Sequence, residues 1–281
     1  MEKTVLITGA SSGIGKETAM LFANNGYKVF ACIRKKSDKN TIEKIHKNIK
    51  GVYLDVTNTS GIDKAFWYVM KNTSKLDAII NCAGIAVAGP MEALSVKRIK
   101  EQFEINTFGT ISVIQKFLPM VYDGKIIYIS SMASSGIFPF LAPYCASKRA
   151  TDIMLNSLSN EFKNKNIKII SIKPGCIITP FWNKSIKSNL DNANEYSERI
   201  MQKYKKEFQF LKKNAEKNNY QGSRPIDVAT TILKAVESNN PKLSYTVGKD
   251  AFWVMLISKI CPQNLLNTIT KTIMKKRIEK Y

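Results

Sequence analysis

An apolar run, Thr4-Val-Leu-Ile-Thr8, passes directly into Gly9-Ala-Ser-Ser-Gly13-Ile-Gly15 and then into a helical pattern reaching Phe22 and Ala23. A buried strand that turns on glycines into a helix brings backbone N–H groups and the positive end of a helix dipole to one point, which is how a chain cradles phosphate. A plain tight turn also explains a glycine cluster, so the rest of the chain has to decide. It repeats the alternation. Strands are predicted at Tyr27–Ile33, Gly51–Val56, Leu76–Ile80, Gly124–Ser131 and Ile167–Ile172, with helical patterns between them and a short closing strand at Ser244–Gly248. This rhythm specifies an α/β, doubly wound, mostly parallel sheet with helices on both faces. Residues 1–250 are expected to form one domain. Within it, 181–222 is Asn- and Lys-rich with spaced aromatics and reads as a helical substrate lid. Residues 251–281 read as a C-terminal extension of two amphipathic helices broken near Pro262.

Several chemistries are excluded by what the chain lacks. The one histidine, His46, lies in a Lys-rich stretch, and there is no GxSxG elbow, so a Ser-His-Asp triad has no members. Five cysteines without CxxC spacing fit neither a disulfide framework nor a zinc site and suggest a reducing compartment. The first residues enter a strand without room for a signal peptide, and no apolar run in the last third spans a bilayer; a cytoplasmic protein is the expectation. The formal charge of +21 is spread from Lys3 to Lys280 rather than gathered on one face, so no nucleic-acid partner is expected. The basic C-terminal helices admit an anionic membrane surface as partner, but such a stripe is more commonly packed core or a dimer contact.

Four further places carry chemistry. Arg34 follows the second strand where a carboxylate would otherwise meet a ribose 2′-hydroxyl; an arginine there can hold a 2′-phosphate in a bidentate contact. The competing reading is a solvated charge run, Arg34-Lys-Lys36. Asp55 closes the third strand and either accepts from an adenine amino group or caps the next helix. Asn106 sits inside the helical pattern Val96–Phe117, where asparagine is unfavourable and needs a reason. Finally Tyr144 and Lys148 are four residues apart, one turn along a helix, where an ammonium lowers a phenol's pKa and makes it usable near neutral pH. The spacing alone is weak, since Tyr245 and Lys249 share it across a strand–glycine turn.

In their order and spacing these motifs resemble the short-chain dehydrogenase/reductase family. The resemblance is specific from residue 1 to about 180 and looser to Gly248. Thr8 to Gly15 matches its glycine-rich turn. Asn81 to Gly84 matches its Asn-Asn-Ala-Gly, with Cys82 in place of the second asparagine. Asn106 matches the helical asparagine, Ser131 the serine thirteen residues before Tyr144, and Pro174-Gly175, Ile177 and Thr179 the turn beside the nicotinamide. The resemblance implies catalysis by Asn106, Ser131, Tyr144 and Lys148. It implies a nicotinamide dinucleotide held by Gly9, Ser11, Ser12, Gly13, Ile14 and Gly15, by Arg34, Asp55 and Val56, by Asn81, Ala83 and Gly84, by Tyr144 and Lys148, and by Pro174, Gly175, Ile177 and Thr179. Arg34 favours NADP(H) over NAD(H), although the glycine-rich turn lacks the basic residue before Gly13 that some NADPH-preferring members carry. No metal is required, because a phenol and a serine stabilise the developing alkoxide.

Ile85, Val87, Phe138, Phe140, Leu141, Phe181 and Trp182 are expected to border the nicotinamide end; with Ser131 they suggest a lipophilic carbonyl or alcohol as substrate. The lid and the Tyr-Thr-Val-Gly tail resemble the branch with 17β-hydroxysteroid and retinol dehydrogenases, and a homodimer or homotetramer is expected. The alternative is a non-catalytic NADPH-binding or sensing protein on the same fold. The presence of all four catalytic positions argues against it.

Overall fold

The computed structural model describes residues 2–162, 165–185, 196–217 and 220–280. Seven strands form one parallel sheet in the order β3-β2-β1-β4-β5-β6-β7. They are β1 (Thr4–Thr8), β2 (Lys28–Ile33), β3 (Ile49–Tyr53), β4 (Ala78–Asn81), β5 (Lys125–Ile129), β6 (Lys168–Pro174) and β7 (Ser244–Val247). Parallel strands need crossovers, and these are the helices α1 (Gly13–Asn24), α2 (Asp38–Glu43), α3 (Thr59–Asn72), α4 (Val96–Phe103), α5 (Gly109–Phe117) and α6 (Ala142–Glu161). The Pro225–Glu237 helix completes the face that holds α1.

Because both faces are covered, the strands are apolar almost throughout. Successive residues feed opposite cores: Val5, Ile7, Val29 and Ile80 pack with Phe22 of α1 and Ile232 on one side. Leu6, Phe30, Ile79 and Ile126 pack with Val69 of α3, Val113 of α5 and Leu155 of α6 on the other. Strand order reverses between β1 and β4, and at such a switch point the connections leave in opposite directions and open a crevice at the strands' C-terminal ends.

Around the crevice some expected elements end or divide differently. The third strand ends at Tyr53, so Asp55 lies beyond it, and the amide of Leu54 still donates to Ile33. Asp55 does not cap the next helix: its carboxylate accepts from the Thr57 amide and hydroxyl at 3.0 and 2.8 Å, while Asn58 caps α3 by accepting from Gly61. The pattern Val96–Phe117 is not one α-helix, since a π-helical turn at Glu104–Phe108 separates α4 from α5.

Residues 181–222, expected to form a lid, contain helices Glu198–Lys203 and Lys205–Lys217, and 186–195 and 218–219 lie outside the described residues. Phe140, at φ +66°, turns its ring to Tyr204, centroids 6.2 Å apart, and Lys203 pairs with Glu92 at 2.6 Å. The C-terminal residues form helices Lys249–Ile260 and Gln263–Ile278 around Pro262.

α6 is tied to the sheet by a buried charge cluster. Asp152 accepts from Ser130 at 3.0 Å and Ser171 at 2.9 Å, and pairs with Lys173 of β6 at 3.0 Å. Both charged groups are largely out of water, so each depends on the other. Asp152→Ala, which leaves Lys173 uncompensated, is expected to destabilise the protein by about 3–5 kcal/mol in urea unfolding. A loss below about 1 kcal/mol would show that the cluster does not hold α6.

Candidate active site

The crevice at the β1–β4 switch encloses about 430 Å³. At one end, the first glycine-rich turn lies flat against the loop after β4. Gly9 has φ +65°, and a Cβ there would stand 2.8 Å from the Ala83 amide. Gly15 faces the Gly9 carbonyl so closely that a Cβ would come within 2.4 Å of it. Only glycine gives this path, and it leaves the turn's backbone bare toward the crevice. The Thr8 hydroxyl joins the two loops, accepting from Cys82 and Ala83 at 3.1 and 3.2 Å.

The loop after β4 is held from below by a pair of amides. Asn106, in the π turn, accepts from the Ile85 amide at 2.9 Å and donates to the Ile85 carbonyl at 3.0 Å and to Ser147 at 3.1 Å. Gln102 donates to the Ile85 carbonyl at 2.7 Å and accepts from Val87 at 2.6 Å. This is the reason for the mid-helix asparagine: it splints a neighbouring loop. The extra residue of a π turn re-aims one side chain without ending the helix, which is how such turns serve functional sites.

At the other end, Tyr144, Ser131 and Lys148 converge. β5 delivers Ser131, whose hydroxyl accepts from Ala133 at 3.1 Å. The first turns of α6 deliver Tyr144 and Lys148. The Lys148 ammonium donates to the Ile129 carbonyl at 2.7 Å and sits 4.8 Å from the Tyr128 ring centroid. Burial holds its pKa down at about 8, with the Asp152 carboxylate pushing it back up. The expected lowering of the tyrosine is not found. Burial raises Tyr144 to about 12, with hydrogen bonding to Ser131 drawing it part of the way back. Lys148 gives its hydrogen bond to the Ile129 carbonyl, and desolvation of the phenolate is the largest effect on Tyr144. Tyr245 and Lys249 fall on β7 and on the next helix, and the Tyr245 hydroxyl accepts from Lys242 at 3.0 Å.

Of the expected cofactor contacts, Ser11, Ser12, Gly13, Ile14, Arg34, Asp55, Val56, Gly84, Pro174, Gly175, Ile177 and Thr179 line the crevice with Gly9, Gly15, Ala83, Tyr144 and Lys148. Asn81 does not: it is buried and donates to the Ile127 carbonyl at 3.2 Å, between strands. Of the expected substrate contacts, Ile85, Ser131, Phe181 and Trp182 line it. Val87 is fully buried in the splinted loop and Phe140 turns toward Tyr204, so neither is on the crevice wall. Phe138 and Leu141 stand behind Tyr144 in a small apolar cluster with Phe181 and Trp182. The rings of Phe181 and Trp182 each lie 6.2 Å from the Tyr144 ring.

Sequence reading missed Arg98, Glu101 and Ile105, which line the crevice from α4 and the π turn, and Lys184, whose ammonium donates to Ser12 at 3.0 Å. The first three stand at helical spacing on the face shared with Gln102 and Asn106, a signal that was present. Lys184 carries no sequence signal, because its meeting with Ser12 joins residues 172 positions apart.

A family model described as short chain dehydrogenase matches residues 3–190. The chain is 33% identical over 258 residues to a 3-amino-tetrahydro-pyrrolizinone reductase of Xenorhabdus hominickii, covering 89% of this chain and 88% of that protein. It is 30% identical over 281 residues to an NADPH-dependent 3-dehydrocapnine reductase of Ornithobacterium rhinotracheale, covering 96% and 97%. Among solved structures it is similar to ElxO with NADP bound, with TM-score 0.69, 26% identity and coverage of 88% and 96%. The chain therefore belongs to the short-chain dehydrogenase/reductase family, and it is an oxidoreductase acting on CH–OH and C=O groups of small molecules. Among the described residues no helix is long and apolar enough to cross a membrane.

Lys148 titrates near the working range, whereas Tyr144 keeps its proton far above it. With Tyr144 as proton donor and a charged Lys148 beside it, the roles proposed below, carbonyl reduction is expected to fall as pH rises through about 8, where Lys148 loses its charge. The profile of kcat/KM against pH checks this; a flat profile from pH 7 to about 10 would contradict it.

Proposed function

We propose that the protein is an NADPH-dependent carbonyl reductase of a lipophilic substrate. One observation carries the reading: Tyr144, Ser131 and Lys148 meet at the apolar end of the crevice whose other end is the bare glycine turn. The residues present fit a dinucleotide. The cradle at Gly9, Gly13 and Gly15 is one that a Cβ would fill, and it opens onto the N-terminus of α1. When bound, the nicotinamide supplies the hydride.

The chain's own residues do the rest. Tyr144 is protonated at neutral pH because its burial disfavours the phenolate, so it is set to give a proton to a carbonyl oxygen, the direction of reduction. Ser131 presents its hydroxyl to the same oxygen. Lys148 holds positive charge beneath them, and Asn106 and Gln102 keep the facing loop rigid. Phe181 and Trp182 pack beside the buried Tyr144 ring, an apolar wall that favours an apolar substrate over a sugar. A homodimer or homotetramer goes with this reading, supported by the exposed apolar Ile153 and Met154 on α6.

The preference for NADPH rests on Arg34, which is exposed at the end of β2 on the crevice wall, and it agrees with the relative described as NADPH-dependent. Lys184 has a different task. Beside Ser12 on the phosphate cradle it would help hold the pyrophosphate, which both cofactors share.

The two lesions should separate in cofactor binding followed by quenching of tryptophan fluorescence. Arg34→Asp should weaken NADPH by about tenfold or more, roughly 1.4 kcal/mol, and leave NADH almost unchanged. Lys184→Met should weaken both by the same factor, about fivefold, as fits an exposed charge contact. Wild-type protein that binds both cofactors equally would overturn the NADPH reading. A loss confined to NADPH in Lys184→Met would overturn the pyrophosphate contact.

A further inference from the structure

The helix Lys249–Ile260 shows an apolar face to solvent. Phe252, Trp253, Leu256, Ile257 and Ile260 are all exposed, Trp253 at 58% and Ile260 at 71% of their surface. Their spacing places them along one side of the helix, while Ala251 is fully buried on the other. The following helix, Gln263–Ile278, repeats the arrangement with Leu265, Ile269 and Ile273 exposed at four-residue steps. Single exposed apolar residues are ordinary, but eight of them in two consecutive stripes mark a contact surface. A packed core, one of the two common readings of this segment, does not describe these side chains.

We infer that this surface docks on an anionic lipid bilayer, with the two helices lying in its interface. Charge selects the occupant. From residue 249 onward the chain has seven basic side chains (Lys249, Lys259, Lys271, Lys275, Lys276, Arg277 and Lys280) against two acidic ones, Asp250 and Glu279. Of those two, Asp250 is occupied within the fold, accepting from the Cys176 amide at 2.7 Å. A second copy would bring the same basic surface from a chain of formal charge +21 and set like charges face to face. An anionic bilayer offers apolar depth and opposite charge together. Trp253 is a residue that settles at the level of lipid headgroups and Phe252 one that enters the apolar side, and since no described helix is long and apolar enough to cross a membrane, the two helices lie on it.

The surface stands next to the chemistry. Asp250 pins the start of the helix to Cys176, beside Gly175 of the crevice wall, and the same helix packs against the 132–134 turn that follows Ser131. Docking there places the apolar end of the crevice near the lipid phase, where a lipophilic substrate resides. The inference concerns where the enzyme works, and it stands whether or not the cofactor preference does.

The test is cosedimentation of the full-length protein with phosphatidylcholine vesicles, with and without phosphatidylglycerol. Binding is expected to the mixed vesicles, at least about tenfold weaker to phosphatidylcholine alone, and to weaken with salt as surface charge is screened. Trp253→Glu with Ile257→Glu should abolish it while the melting temperature and the Kd for NADPH stay unchanged. Should that variant fail to fold, Lys275→Glu with Lys276→Glu decides, since it must lower binding to the mixed vesicles only. Absence of vesicle binding, or binding that neither variant reduces, overturns the inference. So does light scattering that shows a dimer broken by Trp253→Glu with Ile257→Glu and no vesicle binding, which assigns the face to a second copy.

Discussion

Lys148 and Asp152 lie one turn apart on α6, and both are charged groups buried at the C-terminal ends of β5 and β6. Lys148 is held by the Ile129 carbonyl, and Asp152 by Ser130, Ser171 and Lys173. Charges taken from water need complete partners, and here the partners come from the strands themselves. The helix that carries Tyr144 is thus fixed in rotation and height against the sheet. Everything at this end of the crevice depends on that: the meeting of Tyr144 with Ser131, the packing of Phe181 and Trp182 beside them, and the place of Lys148 one turn further along.

The same burial sets the protonation states. An ammonium one turn from a phenol suggests a lowered tyrosine, yet desolvation dominates and Tyr144 remains a phenol. A tyrosine held this way is a proton donor at rest, which matches reduction better than oxidation. Lys148, pulled down toward about 8 by its own burial, is the group whose charge responds to pH.

Much of this was legible in the order of residues. Apolar runs alternating with helical periods gave the sheet, since strands buried on both faces cannot read otherwise. Gly9 and Gly15 announced the cradle because no other residue tolerates their contacts. What stayed hidden depends on distance in sequence. Lys184 reaches Ser12, and Gln102 clamps Val87, through meetings that only the folded chain creates. Val87 and Phe140 were apolar and near the site in sequence, but apolarity does not say which way a side chain turns. Asn106 was recognised as out of place in a helix, while the π turn that makes room for it has no sequence period to betray it. The exposed stripe from Phe252 to Ile273 has the same amphipathic pattern as a buried one, and only the fold shows which side faces water.

The central claim is that Tyr144 gives the proton. The direct measurement is single-turnover reduction, by NADPH-loaded Tyr144→Phe, of a carbonyl that the wild type reduces, together with the Kd for NADPH. Removing only the hydroxyl should slow the chemical step by about 10²–10⁴-fold, the usual worth of a positioned general acid, and leave the Kd within about twofold. Turnover near the wild-type rate in a variant that still binds NADPH would contradict the account.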